Sequence, residues 1–598
     1  MNTNLTRFEP TMLLEEYSSN VPVDTHEKSI EKHAEIEEQA AVVPKYSTEN
    51  NLASTLEDIA RRHPNFPALI QGSRNTSKSV SYQTLSERVQ HKAKVLRAAG
   101  LIKGDLVLML QPMSIDLYAS ILAVFRVGAT VLIVDAAAGK EKINHAIAST
   151  APRAVIAAGR GFLAALALPS VRGIKLKFSD GLTLPGWKSL GQKTEVSKTT
   201  NRFFVLGCNS AGGRSTPIEK VTTDHPALVT LTSGTSGKPK MIVRSHRFLQ
   251  TQLQAVSSNC GLTESSKELT SLPVFVLANL ASRVTTILPD ANLADLKHME
   301  VDRVVDQLKQ FQPERILGSP AFIERIVSEC ASRKISLPSV KTVITGGGPV
   351  FPKLLESTKD VCVNADLINV YGSSEAEPIS KINFADLTKS DMNAIASGAG
   401  LPVGFPVRQI KIRIEPLVDQ HDQLNNSDRL STLRHICELK NLPINAVGEI
   451  IVTGDHVVKG YDRGIGDEDT KVKIDGEIWH RTGDVGYLDN SGKLWLTGRL
   501  IRRNESSSND GNHLDASFAL SVEAAALFDI HVDHAACLTL NEVTTLFVES
   551  AEKLHAIDTW TLKNRLNWSQ LSSVKVVKKI PVDTRHSSKV LYHRLAAS

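Results

Sequence analysis

The sequence predicts an α/β protein. It predicts a large N-terminal unit of parallel sheets flanked by helices, with a small β-rich part, and then a small α+β unit. Short apolar runs (DLVLML, TVLIVD, RAVIAA, ALVTLT, RILGSP, VKTVITGGG, DLINVYG) alternate with amphipathic stretches. Uninterrupted apolar strands between helices mark parallel sheets buried on both faces. After about residue 395 the texture turns to strands and tight turns, and the polar stretch IRRNESSSNDGN follows just beyond Arg499.

Taken in order, residues 1–48 are rich in Glu, Ser, Thr and Asn, a composition that predicts a disordered or loosely docked tail. The globular pattern begins at NLASTLEDIARRHP. The longest apolar stretch, LYASILAVFRVGATVLIVD (117–135), is interrupted by Arg126 and Gly128. It reads as a buried helix followed by a buried strand, not as a membrane span. YLDNSGKLWL reads as a hairpin around Asn-Ser-Gly. A boundary near 499–503 divides a unit of residues 49–499 from one of 500–598.

At 598 residues the chain exceeds one ordinary core. Its 69 basic and 64 acidic residues leave a net charge of +5. Such balance gives no case for a nucleic-acid partner, which needs a basic patch or stripe. The six cysteines (Cys208, Cys260, Cys330, Cys362, Cys437, Cys537) stand singly, so neither a zinc site nor a disulfide framework is suggested. With no apolar leader and no transmembrane segment, the expected location is cytoplasmic.

TLTSGTSGKPKM (230–241) puts a buried strand directly before a Ser/Thr/Gly loop. Glycines let backbone amides approach an anion, hydroxyls add donors, and Lys238 and Lys240 add charge. It is not a Walker loop, because Gly234 and Gly237 are three apart and Lys238 precedes Pro239. Alone, a loop of this composition is more often a linker.

TSGTSGKPK resembles the phosphate-binding signature of the adenylate-forming superfamily: acyl-CoA synthetases, peptide-synthetase adenylation domains and luciferases. VYGSSEAEP (370–378) resembles its Y-G-x-T-E element, and HRTGDVGYLDNSGKLWLTGR (480–499) its T-G-D…G-R element, in the family order. The resemblance spans roughly residues 50–598 and implies a site for ATP and Mg²⁺. Thr232, Ser233, Gly234, Thr235, Ser236 and Gly237 would cradle phosphates, with Lys240 as a catalytic charge. Tyr371, Gly372, Ser373 and Ser374 would lie along the nucleotide, and Glu375 would hold the metal. VITGGGPV implies an adenine-side segment at Gly346, Gly347 and Gly348. Asp484 would accept the ribose hydroxyls, and Arg499 would contact ribose or phosphates. Lys589, near the C-terminus, would reach the substrate carboxylate and the α-phosphate. Leu500 occupies the family's hinge, which implies that the small α+β unit is mobile, and the usual Lys-Asp pair beyond it is replaced by LIRRNESSS. No general base is assigned; His246 and His480 read as structural hydrogen-bonders.

The implied reaction has a carboxylate attack the α-phosphate of ATP, giving acyl-AMP and pyrophosphate. Several stretches resemble one branch, the olefin β-lactone synthetases: PVDTRHSSKV, TVLIVDAAAG and SLPVFVLANLASRVTTILPD. In that branch a 3-hydroxy fatty acid closes a β-lactone through its own hydroxyl. DAAAG lacks the branch's proline and first glycine, and Met241 replaces the usual Gly, which fits a sister group. The acyl pocket wall is expected around Phe275, Leu277 and Leu280, where core packing is the equal alternative. A fatty acyl-CoA or acyl-carrier-protein ligase is the enzymatic alternative, with CoA, a carrier or a lipid-pathway enzyme as partner. A non-catalytic nucleotide- or acyl-binding homologue is the third reading.

Overall fold

The computed structural model describes residues 51–134, 139–181, 184–191, 216–232, 240–417, 442–500, 514–515, 518–541, 543–549, 557–582 and 590–596. The expected N-terminal tail lies outside them.

The chain enters through helix α1 (Ala53–Arg62) and the hairpin β1 (Pro67–Gln71) and β2 (Lys78–Ser81). Helix α2 (Tyr82–Ala98) follows, capped by Ser81 Oγ, which accepts Thr84 N at 3.2 Å. A seven-stranded sheet comes next: β3 (Leu106–Leu110), β4 (Thr130–Ile133), β5 (Ala154–Ala157), β6 (Leu176–Ser179), β7 (Lys188–Ser189), β8 (Pro226–Thr232) and β9 (Lys240–Ser245). Its order is β7-β6-β5-β3-β4-β8-β9, with only β9 antiparallel to its neighbour. The expected apolar runs in this region hold β3, β4, β5 and β8, and residues 117–134 hold a helix and then a strand as expected. That helix, α3 (Ile115–Val127), starts where Ser114 Oγ accepts Leu117 N at 3.1 Å and stops at Gly128, whose φ of 77° suits only glycine well. Its residues from Leu117 to Val127 are buried, each large side chain contributing about 1.5–3 kcal/mol.

The second, larger sheet runs β17-β18-β20-β21-β16-β15-β14-β13-β12-β10-β11-β1-β2. Its strands are β10 (Lys267–Thr270), β11 (Thr285–Leu288), β12 (Arg315–Gly318), β13 (Thr342–Gly346), β14 (Asp366–Ser373), β15 (Ala376–Asn383), β16 (Leu401–Pro406), β17 (Ile410–Glu415), β18 (Gly448–Gly454), β19 (Lys471–Ile474, paired to β20), β20 (Glu477–Leu488) and β21 (Leu494–Arg499). Strands β1 and β10 to β14 are parallel; from β14 onward pairing is antiparallel. The expected β-rich part is therefore joined edge to edge with the parallel sheet. Its hairpin β20–β21 turns at Asp489–Lys493, where Asp489 Oδ1 accepts Ser491 N and Lys493 N at 2.8 and 3.0 Å.

Helix α4 (His246–Asn259) and helix α5 (Pro273–Ala281) pack with α1 and α3 into the largest apolar cluster. Farther along, β22 (Leu514–Asp515), β23 (His534–Leu540), β24 (Val543–Glu549) and β25 (Ser573–Val577) form a separate four-stranded sheet. Helix α6 (Ala519–Ala526) joins it to the rest: Leu520 and Ala524 pack with Ile395, Leu401 and Trp495. Its other face, through Val522 and Ala525, packs with Cys537, Leu546 and Val548.

Candidate active site

Lys240 opens β9 and is 3% exposed. A Cβ on Gly466 would lie 2.6 Å from Lys240 Cε, so the bare backbone of Gly466 (φ 93°) lets the lysine stem pass. The ammonium lies 5.3 Å from the centre of the Tyr461 ring. Lys471 Nζ lies 5.1 Å from the same ring, so two ammonium groups lie near one tyrosine. The Tyr461 hydroxyl donates to Glu375 Oε1 at 2.8 Å. Glu375 is further fixed through its backbone, with Val458 N on its carbonyl at 2.8 Å. Its N–H donates to Ser373 Oγ at 3.3 Å.

Burial alone would raise the Glu375 carboxyl, but His480, the Tyr461 hydroxyl and Lys471 outweigh it and hold the group below its ordinary value. It is a carboxylate at neutral pH. Burial in turn pulls Lys471 down to about 8, against the attraction of Glu375 and Asp467. Lys471 Nζ donates to Val458 O and lies 3.2 Å from His480 Nδ1.

A second cluster adjoins the first along β14 and β20. The Tyr371 hydroxyl donates to Asp484 Oδ2 at 2.6 Å, and Arg499 NH1 is 3.8 Å from Asp484 Oδ1. Asp484 and Arg499 face each other across the β20–β21 pair. Behind them β13 and β14 run close: a Cβ on Gly346 would stand 2.1 Å from Val370 O. Gly347, at φ 80°, opens onto free space, with Gly348 next in the same turn.

The structure thus brings Lys240 and Glu375 together through Tyr461, and Tyr371, Asp484 and Arg499 together directly. Strand β14 runs through Tyr371 and Gly372 to Ser373, because Gly372 lets the chain fold tightly against Ala376 O, 2.8 Å from where its Cβ would be. Ser374 is exposed and its carbonyl accepts from Arg244 NH2 at 2.6 Å; Arg244 NH1 reaches Thr230 Oγ1 at 2.6 Å. Thr232 closes β8 opposite Lys240. Ser233, Gly234, Thr235, Ser236, Gly237 and Lys589 lie outside the described residues.

His246 is buried and neutral, pushed to about 3 by burial, and its Nδ1 accepts Leu52 N at 3.3 Å. That is the structural role expected for it. Phe275, Leu277 and Leu280 sit on α5; Leu277 and Leu280 line a narrow apolar pocket with Leu52, Leu56, Leu122 and Phe125. Sequence reading missed Arg244, Tyr461 and Lys471. Lys471 becomes visible only through register, since β19 pairs it opposite His480.

Among the described residues no group of three or more His, Cys, Asp and Glu side chains could hold a metal ion. Glu375 offers its second carboxylate oxygen, Oε2, beside the Oε1 that accepts from Tyr461. This donor set suits a hard cation that takes its other ligands from phosphate and water.

The AMP-binding enzyme family profile matches residues 56–462. An olefin β-lactone synthetase of Stenotrophomonas maltophilia is 26% identical over 474 residues, 76% of this chain and 80% of that protein. A 4-coumarate–CoA ligase-like protein of Oryza sativa subsp. japonica is 24% identical over 447 residues, 74% of this chain and 73% of its own. Among solved structures, the amide bond synthetase McbA of Marinactinospora thermotolerans superposes with a TM-score of 0.68 at 20% identity, covering 92% of this chain and 99% of its own. ATP-bound MatB of Rhodopseudomonas palustris gives 0.67 at 19% identity, over 92% and 98%. At these identities the superpositions establish the fold.

Proposed function

The chain belongs to the AMP-binding enzyme family, and from that premise we propose that it activates a fatty or 3-hydroxy fatty acid as acyl-AMP. The observation that carries this reading is the convergence of Lys240 and Glu375 on Tyr461 beside the Tyr371–Asp484–Arg499 cluster.

In this reading Asp484 accepts the ribose hydroxyls, and Arg499 balances charge beside it. Tyr371 orients the Asp484 carboxylate and presents its ring toward the adenine, with Gly346, Gly347 and Gly348 leaving room for the base. Lys240, at the start of β9, neutralises phosphate. Glu375 would hold Mg²⁺, which when bound neutralises phosphate charge. The substrate carboxylate oxygen attacks the α-phosphorus, the bond to the β-phosphate oxygen breaks, and pyrophosphate leaves. Lys589 reaches the developing charge. Positioning and charge neutralisation supply most of the rate, since phosphoryl transfer asks little covalent help of the protein.

The lactone outcome is favoured by the synthetase relative and by the branch-like stretches. A CoA ligase is the second reading, favoured by the 4-coumarate–CoA ligase-like relative. With ATP and a 3-hydroxy fatty acid, product formation independent of CoA supports the first; strict CoA dependence sinks it. The cytoplasm is the compartment proposed for the reaction; among the described residues no helix is long and apolar enough to cross a membrane.

A further inference from the structure

We propose that Tyr461 is a positioning residue that locks Glu375 and Lys240 into one unit, with Lys471 as its second cationic partner. The proposal rests on the nucleotide reading of this site and assigns residues that reading does not use.

The geometry is specific. The segment between β18 and β19 returns over the start of β9 and touches both Lys240 and Glu375. Tyr461 N donates to Asp467 Oδ1 at 2.8 Å, which fixes the ring's backbone. Gly466, five residues on, lies against the Lys240 stem, where any side chain would collide. The ring then offers its face to Lys240 at 5.3 Å and to Lys471 at 5.1 Å. Its hydroxyl reaches Glu375 Oε1 at 2.8 Å.

A buried ammonium beside an aromatic face is attracted by the ring quadrupole, so the ring helps to orient Lys240. The hydroxyl, conversely, donates to Glu375 and occupies one oxygen, leaving Oε2 to face a cation. Lys471, 5.1 Å from the same ring centre and placed beside Val458 O and His480 Nδ1, adds positive charge that keeps Glu375 ionised. One tyrosine therefore sets both a metal-facing carboxylate and a phosphate-facing ammonium, which need matched positions for a metal–nucleotide pair.

The two functions of the ring separate by mutation. Tyr461→Phe keeps the face and removes the hydroxyl; Tyr461→Leu removes both. The readout is Mn²⁺ binding by electron paramagnetic resonance with ATP present, beside ATP affinity measured calorimetrically without metal. Tyr461→Phe should weaken Mn²⁺ binding about tenfold, the loss of one hydrogen bond to a charged group, and leave metal-free ATP affinity within about twofold. Tyr461→Leu should weaken both, and Lys471→Arg should bind Mn²⁺ more tightly than Lys471→Met. Melting temperatures of Tyr461→Phe and wild type should agree. Wild-type Mn²⁺ affinity in Tyr461→Phe overturns the coupling, as does a loss that tracks a lowered melting temperature. A wild-type chain that binds no Mn²⁺–ATP overturns the nucleotide reading instead, so the two failures are distinct.

Discussion

Tyr371 and Asp484 are 113 residues apart in sequence, yet the tyrosine hydroxyl donates to Asp484 Oδ2 at 2.6 Å. Burial, and then the adjacent carboxylate, hold the phenol well above its ordinary value, so it remains a donor throughout the working pH range. The pair ties the end of the parallel sheet to the first strand of the β20–β21 hairpin. Tyr371→Phe should therefore raise the KM for ATP about tenfold with little change in kcat. Asp484→Ala should cost more, since it removes the acceptor itself. Steady-state exchange kinetics over a range of ATP concentrations check both.

Lys493 Nζ donates to both carboxylate oxygens of Asp391 at 2.7 and 2.8 Å, and both residues are buried. Asp391 also closes a capping box with Thr388 at the start of the helix Lys389–Ala396. Lys493→Met leaves that charge without its cation and should lower stability by about 3–5 kcal/mol. Urea denaturation reads the loss, while the KM for ATP should stay near wild type, because neither residue is among those placed at the nucleotide site.

Glu523 lies inside α6, where its Oε1 accepts Cys537 N at 2.9 Å and the Tyr592 hydroxyl at 3.1 Å. Burial pushes its carboxyl up to about 8, against the pull of those two donors. In the unfolded chain the same group releases its proton near 4.5. Between these values the unfolded state has lost a proton that the folded state keeps, so the group's stabilising contribution is complete below about 4.5 and lost as pH rises to about 8. Glu523→Gln keeps an oxygen for both donors and cannot ionise. Its melting temperature, relative to wild type, should rise from pH 5 to pH 8; a constant difference contradicts the assignment.

Trp568 covers Gly398, where a Cβ would stand 2.3 Å from the indole ring and the backbone φ is 92°. Gly398→Ala is penalised twice and should cost more than about 1 kcal/mol. Trp568→Ala should remove the steric part, so the double variant should lose less than the sum of the singles. Thermal melts of the four proteins test the coupling.

Much of the fold is legible in the sequence for one physical reason: strands covered on both faces must be continuously apolar. DLVLML, TVLIVD and RAVIAA announce β3, β4 and β5 in this way. The hairpin after Leu488 is equally plain, because Asp489 and Gly492 carry turn chemistry in the sequence itself. What stays hidden depends on who meets whom. Tyr461 and Lys471 sit in a polar segment, KGYDRGIGDEDTKVKI, whose importance arises only when β19 pairs with β20 and the turn closes over Lys240. Arg244 reads as an ordinary charge within a strand, yet it bridges Thr230 to the carbonyl of Ser374. The run of β14 through Gly372 is likewise hidden in the sequence, since glycine normally signals a break and here permits close pairing.

The central claim is that this site couples a carboxylic acid to AMP, and exchange of labelled pyrophosphate into ATP tests it most directly. A panel of fatty and 3-hydroxy fatty acids, each with and without CoA, should contain at least one that drives exchange in a Mg²⁺-dependent manner. Lys589→Ala should slow that exchange by at least roughly a hundredfold, the scale of losing one preorganised charge-stabilising group. Exchange supported by no acid in the panel, in a folded protein that binds ATP, would contradict acid activation.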